Sequence, residues 1–426
     1  MMKRKVLVIS YYFPPMSYSG VQRTSKFVKY MPDFGWEPTV LTIQPKAYYA
    51  FDDSLLKEID NKGIRIIRTG SSDPTQILFN QNKIKSDFTR KILNRLSQTF
   101  FLPDNKRSWI KPALKKAKEI LSTEKFDIIY ATAPPYTDLI IGAKLKEEFD
   151  IPLVLDYRDA WLDDVLSFYP TPIHRLIVKN MERNVLHNSN RIVVYTRQIK
   201  EHLLINYPFL SPEEIIIIPH GYDKEDFQIE VKSDKPKHKM RITYNGIFYD
   251  ERTPLFFIQA AKKLFFERPD LLTQIEFCFV GNFPEKYKRL IKKLKIEEAF
   301  RFIGYVDHKT SVKYLLDSDA LWLMIRHSKN PHLVATSKLF EYFGTKKMIL
   351  GCVPPNGAAA QLLKEYSASI VVHPEDINGI KEALLNIFNM YKSNSLPAGK
   401  DDFVEKFERK RLTEELIKIF QFQMKD

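Results

Sequence analysis

Lys338 and Glu341 stand three residues apart in Thr336-Ser337-Lys338-Leu339-Phe340-Glu341-Tyr342-Phe343-Gly344, the strongest local signal in the chain. If Thr336 or Ser337 caps a helix there, its first turn presents a cation and a carboxylate on one face. The cation suits phosphate, and the carboxylate suits the two hydroxyls of a ribose. An ordinary solvated Lys/Glu pair has the same spacing. Asp156-Tyr157-Arg158-Asp159-Ala160-Trp161 sets an arginine between carboxylates beside two rings. Carboxylates accept from sugar hydroxyls and rings pack on sugar C–H faces, although an Asp–Arg pair can equally hold a loop. Gly20 follows Pro14-Pro15-Met16-Ser17-Tyr18-Ser19 and either opens a helix whose N–H groups take an anion or simply makes a turn. His220, in Pro219-His220-Gly221-Tyr222-Asp223, caps its loop or faces a cleft. Tyr244-Asn245-Gly246-Ile247-Phe248-Tyr249 ends one apolar run and leads into Arg252.

These residues matter because of where they fall between elements. Short β-rich runs alternate with amphipathic stretches, the pattern of parallel sheets built from βαβ units, so the fold class is α/β. First-half strands are expected at 5–10, 38–43, 64–68, 127–131, 153–156, 191–195 and 215–218. The polar stretch Glu230 to Lys239 reads as a linker, and the pattern restarts at 241–244, 275–280, 300–303, 320–325, 348–350 and 369–372. Two doubly wound, Rossmann-like domains are expected, at 1–229 and 240–395. A last helix within 400–426, with Phe407, Leu412, Leu416, Ile417 and Phe420 on one face, should pack back across them. In such sheets ligands bind beyond the carboxyl ends of the strands, where every residue singled out above lies.

A chain of 426 residues exceeds one small module, and no apolar run reaches the ~18 residues of a membrane span. The basic, apolar opening breaks at Pro14-Pro15 without a cleavage site and reads as a buried first strand. Two cysteines, Cys278 and Cys352, and no N-x-[ST] sequon point to a reducing, cytoplasmic setting. No G-x-G-x-x-G follows a strand, no Walker loop is present and the nine histidines are scattered, so no dinucleotide, P-loop or metal motif is supported. Lys and Arg number 66 against 52 Asp and Glu, a net charge of +14. Residues 83–118 hold eleven cations and two acids, interleaved with Phe88, Phe100, Phe101, Trp109 and aliphatic residues. That segment is a solvated helix pair or a surface for anionic lipid headgroups on the inner leaflet; nucleic acid is not the expected partner.

In their order along the chain these motifs resemble the glycosyltransferases of the GT-B fold, family 4 (group 1) in particular. The resemblance rests on the glycine loop ending at Gly20, Asp156 to Trp161, Pro219 to Asp223, Gly246 to Arg252 and Ser337 to Tyr342. It implies an acceptor-side first domain and a second domain that binds a nucleoside-diphosphate sugar, with no cofactor and no metal. By that resemblance Arg252 and Lys338 bind the donor diphosphate and Glu341 the ribose. Gly20 approaches the phosphate, Asp159 lies near the transferred sugar, and Arg158, His220, Gly246 and Ser337 complete the substrate contacts. The implied reaction is retaining transfer to a lipid-linked or polysaccharide acceptor. A non-hydrolysing nucleotide-sugar epimerase and an inactive nucleotide-sugar-binding paralogue share the architecture. Two positions depart from the family pattern: Leu333 stands where Glu-x7-Glu has its first glutamate, and Arg252 where many members have lysine.

Overall fold

A computed structural model describes residues 4–16, 19–45, 51–71, 101–163, 167–248, 253–325 and 336–424. The chain forms two compact units, one of residues 1–219 with 409–426 and one of residues 220–408. Their boundary falls at Pro219/His220, ahead of the 230–239 stretch that reads as a linker in the sequence.

The first unit runs β1 (Arg4–Ile9), α1 (Ser19–Tyr30), β2 (Trp36–Ile43), α2 (Asp53–Asp60), β3 (Arg65–Thr69), α3 (Ile110–Thr123), β4 (Ile128–Ala133), α4 (Thr137–Phe149), β5 (Leu153–Tyr157), α5 (Pro172–His187), β6 (Arg191–Val194), α6 (Arg197–Asn206) and β7 (Ile215–Ile217). The seven strands pair in parallel in the order β3-β2-β1-β4-β5-β6-β7. Central β4 and β5 are buried along their whole length, which is why they read as apolar runs without alternation. The strand order reverses between β1 and β4, so the crevice of this sheet lies beyond those two strand ends.

In the second unit follow β8 (Met240–Asn245), α7 (Leu255–Glu267), β9 (Ile275–Val280), α8 (Glu285–Lys293), β10 (Phe300–Gly304), α9 (His308–Leu316), β11 (Ala320–Met324), α10 (Ser337–Thr345), β12 (Met348–Cys352), α11 (Ala358–Tyr366), β13 (Ser369–Val372), α12 (Ile377–Lys392) and the short α13 (Asp401–Val404). Its six parallel strands order as β10-β9-β8-β11-β12-β13, with the reversal between β8 and β11. An aromatic core built on Phe257, Phe277, Phe279 and Trp322 fills the space beneath the helices. Cys278 and Cys352 are both buried, and burial pushes both thiols up to about 12, so they stay protonated.

The C-terminal tail differs from the single helix its pattern suggests. A 3-10 turn at Glu405–Phe407 and extended backbone at Glu408 separate α13 from α14 (Arg409–Phe422). Two apolar sets demand the break: Phe403 and Phe407 pack with Phe343 in the second unit, whereas Leu412, Leu416 and Phe420 join the core of the first. Phe420 sits edge-on to Trp36 and Tyr130, at centroid distances of 5.2 and 5.8 Å. Among the described residues no helix is long and apolar enough to cross a membrane.

Candidate functional site

In the first unit the loop beyond β5 is tied to the strand ends by arginines. Arg158, which the sequence sets between two carboxylates, gives its side chain to backbone instead. Its Nε donates to the Ala133 carbonyl at 3.1 Å, and its two terminal nitrogens donate to the Gly20 and Pro134 carbonyls. It therefore joins the start of α1 to the end of β4 through backbone carbonyls. Gly20, on the first turn of α1, supplies one of those carbonyls, and a Cβ at Gly20 would meet the Arg158 guanidinium at 3.3 Å.

The carboxylate expected beside Arg158 belongs to another arginine. Arg23 on α1 grips Asp156 through Nε (3.1 and 3.0 Å) and Nη2 (2.9 Å), while Thr132 donates to the same carboxylate at 2.9 Å. Its remaining hydrogen bonds reach the Ile218 and Pro219 carbonyls at 3.0 and 2.8 Å. Burial alone would push Asp156 up, but Arg23's charge and hydrogen bonds, with Arg158's charge, hold it below the usual carboxylate range. The rings of Tyr157 and Trp161 are wholly buried, Trp161 stacked on Tyr136 at 4.8 Å, so neither is a sugar platform. Asp159 is half-buried on the bend after Arg158.

In the second unit the strand ends beyond β8 and β9 form a bare backbone ledge. Gly246 (φ 142°) donates its N–H to Val280, and Gly281 (φ 115°) lies so close that a Cβ there would be 2.3 Å from the Gly246 carbonyl oxygen. Helix α10 places Lys338 on this ledge. A Cβ at Gly246 would fall 1.8 Å from Lys338 Nζ and 2.4 Å from its Cε, so the ammonium occupies the space that glycine leaves. Lys338 Nζ also donates to the Tyr244 hydroxyl at 3.2 Å and lies 4.6 Å from that ring's centroid, a cation–π contact. The helix is pinned by Tyr342, whose hydroxyl accepts from Asn245 N at 3.0 Å and donates to the Trp322 carbonyl.

Glu341 is on the same face of α10, half-buried, with His308 Nδ1 4.0 Å from its Oε1. His308 Nε2 in turn lies 3.1 Å from Asp226 Oδ2. Ser337 begins α10, while Thr336 occupies the cap position without a side-chain cap bond. The half-buried ring of His220 lies edge-on to Phe340 of α10 at 6.0 Å. Thus Gly246, Ser337, Lys338 and Glu341 come together at one strand end, with His220 on the neighbouring side of α10. Arg252 and Leu333 lie outside the described residues. Arg23, Asp226 and His308 are the contacts that sequence reasoning missed; Arg23 and Asp156 are 133 positions apart and carry no local signal.

Only part of the 83–118 stretch falls among the described residues. There Lys116 pairs with Glu119 and Lys118 with Glu148, at 2.9 and 2.5 Å. Lys106 is buried above the Tyr11 ring, and Trp109 is fully buried with its indole N–H on Thr69 Oγ1 at 2.7 Å.

Two parallel sheets, each with one reversal of strand order, make the GT-B architecture, and solved structures share it. A glycosyltransferase from Rickettsia africae is 16% identical, with a TM-score of 0.68 over 100% of this chain and 99% of its own. Sucrose-phosphate synthase from Thermosynechococcus elongatus is 12% identical, with a TM-score of 0.65 over 98% of each chain. A protein described as a UDP-N-acetylglucosamine 2-epimerase from Listeria monocytogenes is 12% identical, with a TM-score of 0.58 over 97% of this chain and 95% of its own. No curated protein matches the sequence. Residues 26–226 match the family model described as Glycosyltransferase Family 4.

Proposed function

We propose that the chain transfers a sugar, with retention, from a nucleoside-diphosphate sugar to a lipid-linked or polysaccharide acceptor in cell-envelope glycan synthesis. The observation that carries this reading is Lys338, its ammonium seated on the bare backbone of Gly246 at the β8/β11 reversal, with Glu341 one turn along the same helix face. A diphosphate placed there meets Lys338 and the N-terminus of α10, whose partial positive charge adds to that of the ammonium. Both stabilise charge that grows on the leaving diphosphate as the glycosidic bond breaks. Arg252 is the second cation in this proposal. Glu341 accepts hydrogen bonds from the ribose hydroxyls, and the leaving phosphate takes the acceptor's proton as the new bond forms on the same face of the sugar. Asp159 is proposed to lie near the transferred sugar. Two protein cations take the place of a metal ion, and the reaction runs on the cytoplasmic face of a membrane.

Lys338→Ala and Glu341→Ala should each weaken nucleoside-diphosphate binding about ten- to a hundredfold while the thermal midpoint stays within a few degrees. Charge-assisted hydrogen bonds of this kind are worth roughly 1.5–3 kcal/mol. Calorimetric titration reads the effect, and wild-type affinity in both variants would remove the site. An epimerase with the same architecture would bind the nucleotide too but would alter the sugar without an acceptor.

A further inference from the structure

Helix α5 carries a face that no described residue of its own unit is shown to cover. Its inward residues Val178, Glu182, Val185 and Leu186 are buried, whereas Ile173, Leu176 and Ile177 are 67, 58 and 41% exposed. The exposed three continue through Asn180, Arg183, Asn184 and His187 as one stripe at helical spacing. At its far end Phe209, itself 40% exposed, abuts the stripe, its ring 5.6 Å from that of His187 and 6.0 Å from the Arg183 guanidinium. Outward aliphatic side chains grouped in this way have left water only if something else covers them.

Charge identifies the cover. The exposed charged side chains of α5, apart from His187, are Arg175, Lys179 and Arg183, all cations. Its one carboxylate, Glu182, faces inward, accepting from Leu162 N at 3.1 Å and from the Tyr207 hydroxyl at 2.8 Å. Arg175 shares its charge with Asp163 at 2.9 Å, leaving Lys179 and Arg183 beside the apolar stripe. A second copy paired about a two-fold axis would set these cations against their own kind. Nucleic acid would satisfy the cations but not the isoleucines. A bilayer with anionic headgroups satisfies both, phosphates at the level of the cations and hydrocarbon just below. We propose that α5 lies in the interface of an anionic membrane, its Ile173, Leu176 and Ile177 side chains immersed and Lys179 and Arg183 on the headgroups. In the described part of 83–118, by comparison, Lys116 and Lys118 pair with Glu119 and Glu148, and Trp109 is in the core.

The test needs no sugar donor, so it stands apart from the transferase reading. The full chain is sedimented with vesicles of phosphatidylcholine containing phosphatidylglycerol and with vesicles of phosphatidylcholine alone, at 0.1 and 1 M salt. Ile173→Ser/Leu176→Ser/Ile177→Ser should lower the bound-to-free ratio at least about a hundredfold at either salt, because the apolar contact is lost. Lys179→Glu/Arg183→Glu should lower it roughly fivefold or more per charge at 0.1 M and little at 1 M, where screening already removes that attraction. Both variants should keep the wild-type thermal midpoint, since the altered side chains point outward. Wild-type pelleting by the serine variant, or equal wild-type binding to neutral and anionic vesicles, would overturn the proposal. So would a fall in sedimentation-velocity mass caused by the serine changes without loss of vesicle binding, which would make the face a contact between copies.

Discussion

Adding one carbon at Gly246 should disable the nucleotide site through Lys338. The new Cβ would stand 1.8 Å from Lys338 Nζ and 2.4 Å from Cε, far inside contact distance, so the ammonium must swing off the ledge. The displaced atoms are the far end of a flexible side chain, so crowding itself costs the fold little. The larger folding cost is backbone strain, because φ of 142° at Gly246 lies where side-chain-bearing residues rarely go. About 1–3 kcal/mol of stability is the expected loss. Binding should suffer more: with the cation withdrawn, Gly246→Ala should lose nucleoside-diphosphate affinity about as Lys338→Ala does, by roughly ten- to a hundredfold. The two changes remove the same contact, so the double variant should bind no more weakly than the weaker single variant. Isothermal titration with a nucleoside diphosphate, paired with urea unfolding to separate folding from binding, reads all three proteins. Full affinity in Gly246→Ala, or additive losses in the double variant, would refute the claim that glycine is there to seat the lysine.

Two further outcomes follow from buried charge in the first unit. Asp156→Asn or Arg23→Ala should cost about 3–5 kcal/mol in urea unfolding, since each leaves one member of a fully buried ion pair uncompensated, whereas Arg23→Met/Asp156→Leu should recover much of the loss; equal stability of single and double variants would contradict this. Burial pushes the Glu182 carboxyl up to about 8, so the folded chain holds a proton that the unfolded chain has released between roughly pH 4.5 and 8. Stability should therefore fall as pH rises through that window, by at most about 1.4 kcal/mol per unit, and Glu182→Gln should abolish that slope. Unfolding curves at about pH 5, 6.5 and 8 decide it, and parallel behaviour of the two proteins would mean that Glu182 is charged in the fold.

The thirteen strands among the described residues were legible as short β-rich runs, and Ile275–Val280 and Ser369–Val372 were expected at the bounds they have. Lys338 and Glu341 could be paired in advance because helical spacing is local. The contacts of the Asp156 to Trp161 element could not. Arg158 bonds backbone carbonyls, which every residue has, and Asp156 pairs with an arginine on a distant helix, so neither partner leaves a mark in the local sequence. Tyr157 and Trp161 misled for a related reason: a ring beside a charge suits a sugar, and it equally suits a core against which the charge is clamped. At Glu408 a continuous apolar pattern conceals a change of partner, from the core of one unit to that of the other.

Product analysis tests the transferase reading most directly. The purified chain is offered a panel of nucleoside-diphosphate sugars with a cell-envelope lipid extract, with and without EDTA, and the mixture is read by mass spectrometry for mass and by proton NMR for sugar configuration. The expected result is release of the nucleoside diphosphate together with an acceptor heavier by one sugar residue, unchanged by EDTA and at least about tenfold slower in Lys338→Ala. A sugar nucleotide of unchanged mass but altered configuration, formed without acceptor, would contradict transfer, and wild-type turnover by Lys338→Ala would contradict the site.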